Sequence, residues 1–128
     1  MSKKTDLEIL IASQQTELDA VLLYQELAKL MNTEEEKKQL LGMAADEGRH
    51  AAILRGITGK QLKPKAALAK ATAAMYKIGG KKLLFPFMSK FEIESFFSYQ
   101  KFFTKYPEIA AIASDEIRHG HILNELMK

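Results

Sequence analysis

The sequence predicts an all-α fold, an antiparallel four-helix bundle made of two helical hairpins related by a pseudo-twofold and joined by a long crossover. Three observations predict it. Helix-forming alanine, leucine, lysine and glutamate dominate 128 residues that contain only three prolines and seven glycines. Apolar residues recur at alternating steps of three and four along four segments. A nine-residue phrase, Asp46 to Leu54, returns as Asp115 to Leu123 with six positions identical, more than helical patterning alone readily produces. The length suits a single domain, 1–128, with one substantial core.

Composition narrows the chemistry. There is no cysteine, which excludes disulfides, thiolate zinc sites and cysteine-held iron within these residues. The segment after Met1 is amphipathic rather than apolar, so no secretory signal is expected. The most apolar stretch, 83–97, is broken by Pro86, Lys90, Glu92 and Glu94, so no membrane span is expected either. A cytoplasmic protein is the default. A net charge of +3 is too mild to point to nucleic acid.

The first helix is expected over about 6–31. Thr5 and Glu8 have the form of a capping box, and the inward stripe reads Leu10, Gln14, Glu17, Val21, Tyr24, Ala28, Met31. Thr33 and Glu36 offer a second box for a helix over roughly 34–55, whose stripe is Leu40, Met43, Glu47, His50, Leu54; Gly56 and Gly59 end it. Residues 57–82 read as the crossover. Pro64 is placed to open a short helix through Ala66, Leu68, Ala71, Met75 and Ile78, closed by Gly79-Gly80. Seven lysines between Lys60 and Lys82 make a solvated face, with a docking patch for an acidic redox partner as the lesser reading.

A third helix, from about 83–87 to 104, presents Phe85, Met88, Glu92, Ser95, Tyr99 and Phe103, with Pro86 in its first turn. Pro107 suits the first position of a fourth helix that presents Ile109, Ile112, Glu116, His119, Leu123 and Leu126.

The duplication extends to the odd-numbered helices, where Glu17, Tyr24 and Gln25 align with Glu92, Tyr99 and Gln100. Tyrosine seven residues on selects Glu92 over Glu94. Heights agree as well. Residues 17 and 47 lie equally far from the break at Asn32, and 92 and 116 equally far from Thr104, beside the link at Lys105-Tyr106. Each hairpin thus brings its lone glutamate level with its Glu-x-x-His pair, whose i, i+3 spacing projects both groups from one helix side.

Four carboxylates at one depth of an apolar interior would each cost several kcal/mol unpaired. Two divalent cations offset them and leave His50 and His119 as neutral nitrogen ligands. Oxygen and nitrogen donors without sulfur suit iron or manganese, including a mixed pair, and zinc less strongly. Asp46 and Asp115 lie about 100° round the helix from the glutamates. Cross-pairing is expected, Asp46 to His119 and Asp115 to His50, with Arg49 and Arg118 balancing the aspartates; solvent-facing ion pairs are the alternative. Tyr24 and Tyr99 read as core aromatics with satisfied hydroxyls, or as groups that hydrogen-bond the glutamates and donate a proton or electron. His121 falls where the first copy has Ala52 and is expected at the surface. Phe96, Phe97, Phe102 and Phe103 exceed one inward stripe, which fits a dimer contact or cover by the crossover.

The set Glu17, Glu47-x-x-His50, Glu92, Glu116-x-x-His119 resembles the ferritin-like diiron-carboxylate superfamily, and most closely its rubrerythrin branch without the cysteine-ligated rubredoxin module. The resemblance covers nearly the whole chain. It implies a non-haem diiron site that reacts with hydrogen peroxide or dioxygen, and a homodimer. Ser95 stands where typical rubrerythrins carry an additional glutamate. Because no cysteine iron centre is present, electrons must come from an external donor, rubredoxin-like or a flavoprotein. The alternative from the same ligands is an iron-handling protein that takes up, oxidises and passes on iron.

Overall fold

The computed structural model describes residues 4–128. Among them the chain forms four helices and no strand: α1 Asp6–Lys29, α2 Glu34–Thr58, α3 Ala67–Gln100 and α4 Ile109–Leu126. α1 packs on α2 and α3, and α4 packs on α3 and α2. All four contacts are antiparallel, so α2 and α3 run the same way across one diagonal. That relation forces the chain to travel the length of the bundle between them.

Both expected capping boxes are present, Thr5 with Glu8 and Thr33 with Glu36. α2 runs three residues further than expected. Gly56 stays helical, and Gly59 alone closes the helix, in the left-handed conformation (φ 70°), with its N–H on the Arg55 carbonyl at 2.8 Å. Pro64 does not open the crossover helix, which starts at Ala67. Residues 60–65 instead use their backbone groups on α1. Gln14 Nε2 donates to the Lys60 carbonyl (2.9 Å), Gln15 Nε2 donates to the Lys63 carbonyl (2.8 Å), and the Lys65 N–H donates to Asp19 (2.8 Å).

The Gly79-Gly80 break is narrower than expected. Gly79 remains helical, Gly80 takes φ 70°, ψ −168°, and the chain re-enters the helix at once. Pro86 therefore lies in the second turn after the break rather than the first. The crossover half of α3 buries Ala69 and Thr72, while Leu68, Met75 and Ile78 face outward. Six of the seven crossover lysines are exposed, and Lys81 is ion-paired with Glu36.

At its far end α3 stops at Gln100, four residues early. The next turn tightens to i→i+3 bonds, Phe102 N–H to Tyr99 and Phe103 N–H to Gln100. This rotates the register and buries Phe102 in place of Phe103. Pro107 lies in a similar tight turn, and α4 proper begins at Ile109.

The interior is layered. One apolar cluster gathers Leu23, Leu27, Leu40, Met43, Phe85 and Leu123; the other gathers Leu10, Leu54, Tyr99, Phe102, Ile109 and Ile112. Fully burying each aliphatic side chain contributes about 1.5–3 kcal/mol. Between the clusters lies a polar layer. Among the described residues no helix is long and apolar enough to cross a membrane.

The Gly80 conformation belongs to a region that side-chain-bearing residues scarcely enter. Gly80→Ala is expected to destabilise the protein by about 1–3 kcal/mol, read as a lower urea midpoint with an unchanged slope. An unchanged midpoint would show that the break relaxes.

Candidate metal centre

Each helix places one glutamate in the polar layer: Glu17 from α1, Glu47 from α2, Glu92 from α3 and Glu116 from α4, each 2–3 % exposed. His50 and His119 follow their glutamates by one helical turn and are equally buried. The structure thus brings all six sequence-predicted residues together. They form two groups, Glu17, Glu47, His50, Glu116 and Glu47, Glu92, Glu116, His119. Within each group one ligand atom per residue lies within 4.8 Å of all the others. Glu47 and Glu116 belong to both.

Both imidazoles turn Nδ1 inward. His50 Nδ1 is 3.1 Å from Glu47, 3.3 Å from Glu17 and 3.3 Å from Glu116. His119 Nδ1 is 3.4 Å from Glu47 and 3.6 Å from Glu92. The outward nitrogens are cross-paired as the sequence implies, His50 Nε2 with Asp115 at 2.7 Å and His119 Nε2 with Asp46 at 2.8 Å. Arg118 bridges the two aspartates, 2.6 Å from Asp46 and 3.1 Å from Asp115; Arg49 sits on Asp46 and 3.6 Å from Asp115.

The tyrosines are cross-paired too. Tyr24 on α1 donates its hydroxyl to Glu92 on α3 (2.5 Å), and Tyr99 on α3 donates to Glu17 on α1 (2.9 Å). His121 is exposed, as expected. Ser95 carries no acid to the layer; its hydroxyl donates to the Phe91 carbonyl of its own helix (3.0 Å).

Protons substitute for cations in this geometry. Burial, joined by the Glu17 charge, pushes the Glu47 pKa well above its ordinary value. Burial likewise pushes Glu116 up to about 9, with Glu17 and Glu92 adding to it against the His50 hydrogen bond. For His50, burial alone would lower the pKa, but hydrogen bonds to Glu116, Glu17 and Glu47 outweigh it and hold the ring protonated far above the usual range. Asp46 behaves oppositely. Burial would raise it, yet hydrogen bonds from His119, Arg118 and Arg49 keep it below the ordinary carboxylate range. Both tyrosines are held protonated, first by burial and then by the carboxylates beside them.

A test of fit for metal comes from the buried polar atoms. Glu47 Oε1, Glu92 Oε2, Glu116 Oε1 and His119 Nδ1 have no hydrogen-bond partner among the described residues. Buried polar atoms are ordinarily paired, and all four of these belong to the two ligand groups. The donor set fits two divalent cations.

The sequence reading missed the access route. A cavity of about 590 Å³ opens between α1 and α3 and reaches Glu17, Glu47, Glu92 and Glu116, with both tyrosines in its wall. Neither histidine lines it. The available signal was the short side chains facing one another across that interface, Ala12, Ser13 and Thr16 against Ser95 and Ser98.

A family model described as Rubrerythrin matches residues 8–86, well over half of the chain. No curated protein and no solved structure matches it.

Two outcomes follow from the geometry. Between the unfolded and folded pKa of Glu116, about 4.5 and about 9, the folded metal-free protein binds more protons than the unfolded chain, so its stability falls as pH rises. Glu47 and His50 act in the same sense, and the lowered Asp46 and Asp115 matter only at more acid pH. Thermal melts in chelator should give a lower Tm at pH 8 than at pH 5.5, and divalent metal should reverse the order. Asp46→Asn should weaken metal binding by about 10–100-fold by loosening His119, as measured by competition with a chromophoric chelator.

Proposed function

The chain belongs to the rubrerythrin family, and from that premise we propose that it is a non-haem diiron oxidoreductase. In this reading it reduces hydrogen peroxide or dioxygen by two electrons drawn from an external donor. The observation that carries the reading is the set of four orphaned buried atoms converging from three helices on one polar layer. Glu17, Glu47 and His50 would hold one ion and Glu92, Glu116 and His119 the other, Glu47 and Glu116 being common to both residue groups. When bound, two ferrous ions supply one electron each to the oxidant; the same donors also accept manganese, alone or paired with iron.

The protein residues supply the remainder. Asp46 and Asp115 fix the ring orientation of the histidines, and Arg49 and Arg118 keep those aspartates ionised. Tyr24 and Tyr99 retain their phenolic protons beside Glu92 and Glu17, in the wall of the open cavity. In this reading they supply protons to reduced oxygen, either directly or through the glutamate each one touches. With Ser95 turned onto its own helix, no additional carboxylate lies one turn beyond Glu92 to exchange with it.

In this reading the electron donor lies outside these 128 residues, which hold no cysteine for a second iron centre, and we propose a rubredoxin-like protein or a flavoprotein for it. A cytoplasmic homodimer completes the proposal. Phe97, 62 % exposed with Phe96 edge-on behind it, supports the contact. Phe102 belongs to the core and takes no part.

Protein loaded anaerobically with ferrous iron should show rapid oxidation in stopped-flow absorbance when peroxide or oxygen is added, and should cycle only with added reductant. Absence of oxidation by either would rule the proposal out. Ferrous uptake well beyond two per chain would favour iron handling instead.

A further inference from the structure

We propose that the groove between α1 and α3 binds a linear, neutral aliphatic molecule whose end reaches the carboxylate layer. The inference concerns a ligand other than the oxidant and holds whichever oxidant the centre takes. Size is the first argument. An oxidant of two heavy atoms needs roughly the share of one water, about 30 Å³, whereas the groove encloses about 590 Å³, within the range of about 300–1,000 Å³ that holds organic ligands.

Shape is the second. On α1 the lining runs from Ile9 to Tyr24, about 22 Å at 1.5 Å per residue. That length leaves a mean cross-section of about 27 Å² for this volume, narrow enough to suit an extended chain and too narrow for a helix. A second copy of the protein can cover the exposed rim at Phe87 and Phe91. It cannot fill the depth, because a helix with side chains is about 10 Å across.

Chemistry is the third. Several wall residues are nominally polar, yet their hydroxyls are committed elsewhere. Thr16 donates to the Ala12 carbonyl (3.1 Å), Ser95 to Phe91 (3.0 Å) and Ser98 to Glu94 (3.3 Å), each within its own helix. The walls between them are mostly apolar, continuous with Leu23, Leu84 and Met88, and apart from the four carboxylates the charged residues in the lining are the exposed Lys4 and Glu94. An anionic head group would meet four carboxylates at the floor, and a cationic one would compete with metal, so the reaching end is uncharged.

The test uses the whole chain, free of iron and oxidant, so its failure is separable from failure of the redox reading. N-phenyl-1-naphthylamine should bind saturably at one dye per chain and be displaced by 1-octanol. Ser95→Phe and Ala12→Phe, which fill the middle and the edge of the groove, should each weaken dye binding at least tenfold. Tm and zinc stoichiometry should stay unchanged, and Phe97→Lys should bind dye as the parent does. Unsaturable dye binding, no displacement by 1-octanol, or parental affinity in both filled variants would overturn the proposal.

Discussion

Four carboxyl groups share one buried layer, and the rest of the molecule is arranged around making that tolerable. Coulomb repulsion between them is strong because the layer lies between two apolar clusters that exclude water. Relief comes from tyrosine hydroxyls on Glu17 and Glu92, from the inward nitrogen of His50, and from the raised proton affinity of Glu47 and Glu116. What these donors leave unpaired lies at the centre, where cations fit. The layer thus gives up part of the core's apolar burial in exchange for a charged site at mid-height.

The duplicated phrase explains how such a layer is built with little extra sequence. Four of the layer's contacts form two matched pairs: Tyr24 with Glu92 and Tyr99 with Glu17, Asp46 with His119 and Asp115 with His50. All four contacts cross between the hairpins. Neither hairpin therefore completes its own half of the site, and docking the hairpins and forming the layer are the same event.

Much of this was legible in the sequence because its signals were local or periodic. Glu17 and Glu92 stood out as acids in the middle of apolar stripes, and both capping boxes were written within four residues. The misses lie where tertiary contacts override local preference. Pro64 reads as a helix start, but Asp19 and Gln15 claim the neighbouring backbone groups. Phe103 has the right spacing to be buried, but a tightened turn gives the place to Phe102. Along the crossover the small Ala69 and Thr72 turn inward, whereas the larger Leu68, Met75 and Ile78 stay exposed, a choice of face that the spacing of that short helix does not make. The groove was the hardest to see, since a gap between helices is a property of two faces and neither one announces it.

The layer also has a front and a back. The front is the groove between α1 and α3, which reaches the carboxylates and neither histidine. At the back, on α2 and α4, the chain of contacts runs from each imidazole to an aspartate and on to Arg49 and Arg118, whose side chains are 60 % and 51 % exposed. Anything settling on the arginines stands two hydrogen bonds from the cluster without obstructing the opposite opening. Access to the carboxylates and access to the arginines therefore lie on opposite sides of the layer, and crowding one leaves the other open.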